Sequence, residues 1–367
     1  MGWRCAAWAW VLAGAALCGG PWLAGCSSPL TKLVGGAPNR LKPLRGCDRT
    51  PPLLELATGA DDCFFVEVGP PPARLAVAVF EPAAVPQPLG TVLVVHGIFG
   101  RGLLMTRTAH TLAEAGYRAV VVDLRGHGRS SGDWLGYGAQ EARDLVQVMD
   151  ELESQGRIAG KLGVYGISYG ATTSIHLAAL DARIAAVVAV APFSDIREEV
   201  PHFARTLVPA VGCAIPERAY QDALDRAGER GRFDPDSSNA ADVIAQAQMP
   251  VLILHGTMDW LVPYRHGERL GQSANSRSEL VAMPGLGHST IFLDPLGDVH
   301  RKAHAWFDRW LQPTAKPDER AAGDGLLRPG VDDQGDSNSP ATAARPTASP
   351  ASVRGASTDS TYTSRRQ

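Results

Sequence analysis

Seven short apolar runs constrain this chain more than any other feature: ARLAVAVF, TVLVVHG, YRAVVVDL, KLGVYG, RIAAVVAVAPF, MPVLILHG and SELVAMPG, all between residues 73 and 285. Most are continuous rather than alternating and run out into Gly, Pro, Asp or His, as strands covered on both faces do. Stretches with helical spacing separate them, at 103–115, 138–155, 172–180, 264–272 and 299–311. Strand alternating with helix implies parallel crossovers. The fold class expected is therefore α/β, a mainly parallel central sheet flanked by helices on both faces, over residues 73–312. Residues 195–247 break the alternation between two strands and read as a small helical cap insertion.

The two ends read differently. MGWRCAAWAWVLAGAALCGGPWLAGCSS has Arg4 in a short leading region, an uncharged apolar run and then small residues, the pattern of a secretory signal. Gly19, Gly20 and Pro21 interrupt the run short of the ~20 apolar residues that span a bilayer. Leu23-Ala24-Gly25-Cys26 resembles the lipobox of bacterial lipoproteins, whose cysteine receives a diacylglyceryl group and becomes the new N-terminus. The resemblance implies a signal peptide over 1–25, lipidation at Cys26 and export to a membrane surface. Ser27, where Asp would resemble an inner-membrane retention signal, favours the outer membrane in a cell that has two.

Residues 26–72, rich in Pro, Gly and Arg, read as a tether and lead-in, and 313–367 as a disordered tail unable to bury a core. Cys47 and Cys63 are a possible disulfide pair, and Cys213 is expected to be a buried thiol. A formal net charge of -3 without a basic stripe argues against nucleic acid as a partner. With no CxxC and no histidine cluster, neither a metal nor an organic cofactor is expected.

The chemistry concentrates around Gly166-Ile167-Ser168-Tyr169-Gly170, a G-x-S-x-G pattern that follows the run KLGVYG and precedes the helical stretch ATTSIHLAAL. A serine on a sharp strand-to-helix turn needs glycines on either side, because side chains there meet neighbouring backbone. From here the chain resembles the α/β-hydrolase family over about residues 73–312. The resemblance implies an order of serine, acid, histidine along the chain.

Asp259, in HGTMDWLVP, and His288, in PGLGHST, fill the acid and base positions; Asp195 is the competing acid. His266, His300 and His304 fit the base less well, the last two through expected surface placement on the final helix. The family's oxyanion hole uses the backbone N–H after the nucleophile, here Tyr169, and one from the H-G loop, here Ile98 with Phe99 as alternate. His96 and His127 precede the serine and read as braces of their loops.

These residues point to a serine hydrolase cleaving a carboxylic ester or related acyl bond of a small molecule, carboxylesterase-like rather than peptidase-like. Ile98, Phe99, Leu103, Leu104, Trp134, Trp260 and Leu261 are candidates for an apolar acyl pocket. A peptidase or aminopeptidase, with Glu198, Glu199 or Glu217 holding a peptide amine, or an acyltransferase, is the alternative. A non-catalytic surface lipoprotein is a lesser one.

Overall fold

The computed structural model describes residues 29–38 and 59–312. The expected signal peptide, Cys26, Cys47 and the 313–367 tail lie outside them. Eight strands are present among the described residues: β1 (Asp62–Val68), β2 (Ala73–Phe80), β3 (Gly90–Val95), β4 (Arg118–Val122), β5 (Lys161–Ile167), β6 (Ile184–Val190), β7 (Val251–Gly256) and β8 (Glu279–Met283). They form one sheet in the order β1-β2-β4-β3-β5-β6-β7-β8. Strands β3 to β8 are parallel, and β2 pairs antiparallel with both β1 and β4.

The helices are α1 (Pro29–Gly35), α2 (Thr106–Glu114), α3 (Ala139–Ser154), α4 (Tyr169–Leu180), α5 (Ile196–Leu207), α6 (Pro209–Gly212), α7 (Glu217–Gly231), α8 (Ala240–Ile244), α9 (Arg265–Ser273), α10 (His288–Leu293) and α11 (Asp298–Leu311). They cover the sheet on both sides, which explains the continuous apolar runs. Along β3, Leu93 and Val95 join one core with Leu145 and Met149 of α3 and Ile175 of α4. Val92 and Val94 join the other, with Leu112 of α2 and Phe307 of α11. Successive strand residues point to opposite faces, so every position is apolar where both faces are buried. Helices α5 to α8 occupy the 195–247 insertion.

The sheet begins before residue 73. DCFFVEV pairs with β2 from Asp62↔Val79 to Val68↔Ala73. As an edge strand it buries Val66 and Val68 alone, and its pattern is correspondingly weak. Order also reaches further upstream, into the stretch expected to be a tether. Helix α1 lies along α7 of the cap, and the Val34 carbonyl accepts the Tyr137 hydroxyl. Gly36 bridges to Trp134, with Leu135 N donating to Gly35 O at 2.9 Å and Ala37 N to Asp133 O at 3.0 Å. Cys213, expected to be buried, is exposed in the turn between α6 and α7, where no core exists to cover it.

The loop after β4, DLRGHGRSSG, is fixed by a buried ion pair. Arg125 Nε and Nη2 donate to the two carboxylate oxygens of Asp144 at 2.8 and 2.9 Å, and Nη2 also donates to the Pro71 carbonyl at 2.8 Å. Both side chains are almost fully removed from water. Such a pair is costly to break from one side, since the remaining charge stays buried without a partner. Arg125→Ala or Asp144→Ala should lower the unfolding free energy by about 3–5 kcal/mol in urea titrations. The double variant Arg125→Met, Asp144→Leu should recover most of that loss.

Candidate active site

Strand β5 ends at Ile167 and α4 starts at Tyr169, so Ser168 alone makes the turn. Its backbone sits at φ 52°, ψ -118°, a region that L-residues rarely enter. The turn closes only because its flanks lack side chains. A Cβ on Gly170 would stand 2.5 Å from the carbonyl oxygens of Val95 and His96, and one on Gly166 would overlap Gly170 O and Ser174 Oγ. Ser168 N donates to Val190 O at 2.7 Å, tying the elbow to β6. As the first residue of α4, Tyr169 has no intrahelical acceptor for its N–H.

The Tyr169 side chain is anchored from behind by a residue the sequence reading did not single out. Its hydroxyl donates to Glu141 Oε1 at 2.8 Å and accepts Tyr137 N–H at 2.9 Å. Glu141 also accepts the amides of Gly136 at 2.7 Å and Gly138 at 2.9 Å. It is fully buried, and burial pushes its carboxyl above the usual range. A charged residue on the apolar face of the 138–155 helical pattern was the available signal.

The HGIFG loop comes up beside the serine. A Cβ on Gly97 would lie 3.3 Å from Ser168 Cβ. Gly100 N donates to Gly97 O at 2.9 Å, so Ile98 and Phe99 are the central residues of a tight turn, with Phe99 at φ 59°. Neither central amide donates to an acceptor among the described residues. His96 braces the loop: it contacts Gly97 O through Nδ1 at 2.8 Å and accepts Leu124 N–H on Nε2 at 3.0 Å. Burial lowers its pKa to about 4, which keeps it neutral. His127 Nδ1 lies 2.8 Å from Arg125 O, inside its own loop.

Asp259 stands on the loop after β7 and His288 starts α10, just after β8, at the same sheet edge. Asp259 Oδ1 accepts the amides of Leu261 at 3.0 Å and Val262 at 2.8 Å. That leaves Oδ2 for His288 Nδ1, 2.7 Å away. His288 Nε2 lies 3.0 Å from Ser168 Oγ. With Nδ1 donating to the carboxylate, Nε2 presents its lone pair to the serine hydroxyl. The Phe292 ring packs edge-on against the imidazole at 4.7 Å.

The competing groups have other partners. Asp195 caps α5, accepting Arg197 N at 2.7 Å. His266 Nδ1 is 2.9 Å from Ser194 Oγ. His300 is buried rather than at the surface, with Nδ1 2.6 Å from Asp294 Oδ2 and Nε2 3.3 Å from Thr108 Oγ1. Trp134, a candidate for the acyl pocket, packs instead beside α1, with the Arg230 guanidinium 5.6 Å above its ring.

The cap closes over the site through α5. The Phe203 ring is 6.4 Å from Phe99, and His202 Nε2 is 3.0 Å from Trp260 O. Of the three cap carboxylates considered as amine anchors, Glu198 is bound by Arg265 at 2.6 Å and Arg269 at 2.9 Å, and Glu217 by Arg205 at 2.7 Å. Glu199 is 6% exposed, and neither of its oxygens has a hydrogen-bond partner among the described residues. His266 Nε2 approaches it at 3.3 Å, off hydrogen-bond geometry. Burial, then the nearby Asp259 charge, pushes Glu199 up to about 9, and burial lowers His266 to about 4.

A carboxyl whose pKa is raised by folding makes the fold lose stability as pH climbs from the unfolded value, 4.5, towards 9. Arg265 opposes that loss, while Asp259 and Glu198 add to it. His266, held neutral, contributes the opposite slope and only below 6.5. Glu199→Gln should therefore unfold at a higher temperature than wild type at pH 9, by about 1–3 kcal/mol in stability, with little difference at pH 5. Thermal unfolding at the two pH values measures this.

The model of the X-Pro dipeptidyl-peptidase (S15) family matches residues 72–215. The uncharacterized protein YqkD of Bacillus subtilis is 27% identical over 49% of this chain, which spans 58% of that protein's length. The esterase YjfP of Escherichia coli is 28% identical over 55% of this chain and 83% of its own. Among solved structures, the Pyrococcus furiosus esterase Pf2001 superposes with a TM-score of 0.56 at 20% identity, over 74% of this chain and all of the esterase. With the strand order, the serine elbow and the loops at one sheet edge, these likenesses show that the chain has the α/β-hydrolase fold.

Proposed function

We propose that this protein is a serine hydrolase that cleaves carboxylic esters through an acyl-enzyme. The observation that carries the reading is the relay in which Asp259 Oδ2 meets His288 Nδ1 at 2.7 Å and His288 Nε2 meets Ser168 Oγ at 3.0 Å. A serine hydroxyl is a weak nucleophile at neutral pH and needs a base within reach of its proton. His288 takes the Ser168 proton during attack and returns it to the leaving alkoxide. Asp259, whose other oxygen is held by two backbone amides, fixes the tautomer and stabilises the imidazolium.

The tetrahedral oxyanion is received by the N–H groups of Tyr169 and Ile98, with Phe99 as the alternate to Ile98. Water, activated by His288 in turn, releases the acid. An alcohol in place of water would make the same acyl-enzyme an acyltransferase. Esters are favoured over peptides because the cap offers no unpaired, accessible carboxylate among the three considered. The S15 family match supports the peptidase alternative, since it covers the elbow and the first cap helix.

Export is part of the reading: LAGC supports lipidation of Cys26 after removal of residues 1–25, with the body held at a bacterial membrane surface. Mass spectrometry of the mature N-terminus tests it, and an unmodified peptide beginning elsewhere would reject it.

Ser168→Ala or His288→Ala should each reduce kcat on p-nitrophenyl esters on the order of 10⁶-fold, the double variant little more, and Asp259→Asn about 10⁴-fold. A fluorophosphonate should label the wild type and not Ser168→Ala; equal labelling of both would leave the fold a non-catalytic role. Faster turnover of aminoacyl anilides than of p-nitrophenyl esters would decide for the peptidase.

A further inference from the structure

The large apolar side chains that stay exposed are not scattered. Among the described residues, Phe99, Leu103, Leu104, Met258, Trp260, Leu293 and Leu296 stand on segments that follow strands at the sheet edge carrying Ser168, Leu207 and Val208 stand on the cap, and Leu33 and Leu180 lie elsewhere. Phe99 and Leu104 follow β3, Met258 and Trp260 follow β7, Leu293 ends α10 and Leu296 lies between α10 and α11; their exposure runs from 55% to 77%. Leu207, one helical turn past Phe203 on α5, is exposed as well.

Contacts tie the segments of this rim to one another. Arg107, one turn after Leu104, donates to the Leu293 carbonyl at 2.9 Å. Phe203 and His202 of α5 reach Phe99 and the Trp260 carbonyl. Soluble proteins seldom leave a large contiguous apolar patch uncovered, and Trp with Leu around one opening suits the boundary between lipid headgroups and acyl chains.

A second observation says what covers it. Helix α1 begins at Pro29, three residues past Cys26, and lies along α7 of the cap. Three residues span at most ~11 Å, so a lipid on Cys26 holds the molecule by its cap and not at the end of a long tether. We propose that the rim is a lipid-docking surface, with the mouth of the Ser168 site turned towards the bilayer that carries the Cys26 anchor and taking acyl groups from molecules held in it. This rests on the hydrolase reading for the acyl groups and on the lipidation reading for the anchor; the docking itself is measured apart from both.

The exported, lipidated protein is reconstituted into phosphatidylcholine–phosphatidylglycerol vesicles with brominated acyl chains, and tryptophan fluorescence is recorded. Trp260 is the one exposed tryptophan among the described residues. Quenching is expected in the wild type and should fall by more than about half in Trp260→Phe. The double variant Leu207→Glu, Leu296→Glu should also lose quenching. It should cleave p-nitrophenyl palmitate held in vesicles about tenfold more slowly than wild type, each normalised to p-nitrophenyl butyrate in solution.

Quenching unchanged by Trp260→Phe, or a wild-type ratio in the double variant, would overturn the proposal. So would a wild-type dimer that the double variant converts to monomer, which would give the rim to a second copy of the chain. A wild type inactive on butyrate would remove the hydrolase reading alone, because quenching would still decide the docking. The mass of the N-terminus in the same preparation reports on lipidation separately.

Discussion

Everything at the site depends on one backbone constraint, the left-handed turn at Ser168. Holding a non-glycine residue there costs about 1–3 kcal/mol, and it persists only where the surroundings leave no alternative. Three sets of contacts do so here. Val190 fixes the amide from β6, the missing side chains of Gly166 and Gly170 let α4 close against β3, and buried Glu141 fastens Tyr169 through its hydroxyl. The strain lifts Oγ out of the sheet and leaves the first amide of α4 without an internal acceptor. The proposed nucleophile and the amide proposed to bind the oxyanion are therefore adjacent consequences of the same turn.

Parallel topology supplies the rest. When strands run in one direction, their following loops gather at one edge, so groups distant in sequence meet without long excursions. Asp259 on the loop after β7 and His288 at the start of α10, after β8, are neighbours, and the HGIFG loop after β3 comes up on the other side of β5. Each is oriented locally before it meets its partner: Asp259 by two amides of its own loop, His96 by Gly97 and Leu124. Little of the geometry is left to side-chain freedom.

What could be read from the sequence followed from how local each signal was. Seven strands announced themselves because burial on both faces makes a run apolar at every position. Ser168, Asp259 and His288 were legible because turn chemistry and strand ends are written in adjacent residues, and the structure brings the three side chains within hydrogen-bond reach. Strand β1 was missed because an edge strand with two buried residues has no such pattern. Glu141, the inward placement of His300 and the removal of Trp134 to α1 depend on which distant element packs against each residue. Cys213 failed the general rule that thiols are buried because the turn carrying it is itself at the surface.

The cap shows how a reading of charge changes once partners are visible. In sequence, Glu198, Glu199 and Glu217 are three carboxylates above an active site, an arrangement that would suit a cationic substrate. In the fold, arginines neutralise two of them, and burial holds the third near neutrality at physiological pH. The electrostatic case for an amine-bearing substrate is thereby lost at these positions, while Phe99, Leu104, Met258 and Trp260 stand exposed on the loops beside Ser168. Under the proposed esterase reading these side chains favour an acyl chain leaving water, because apolar transfer is the interaction they can make.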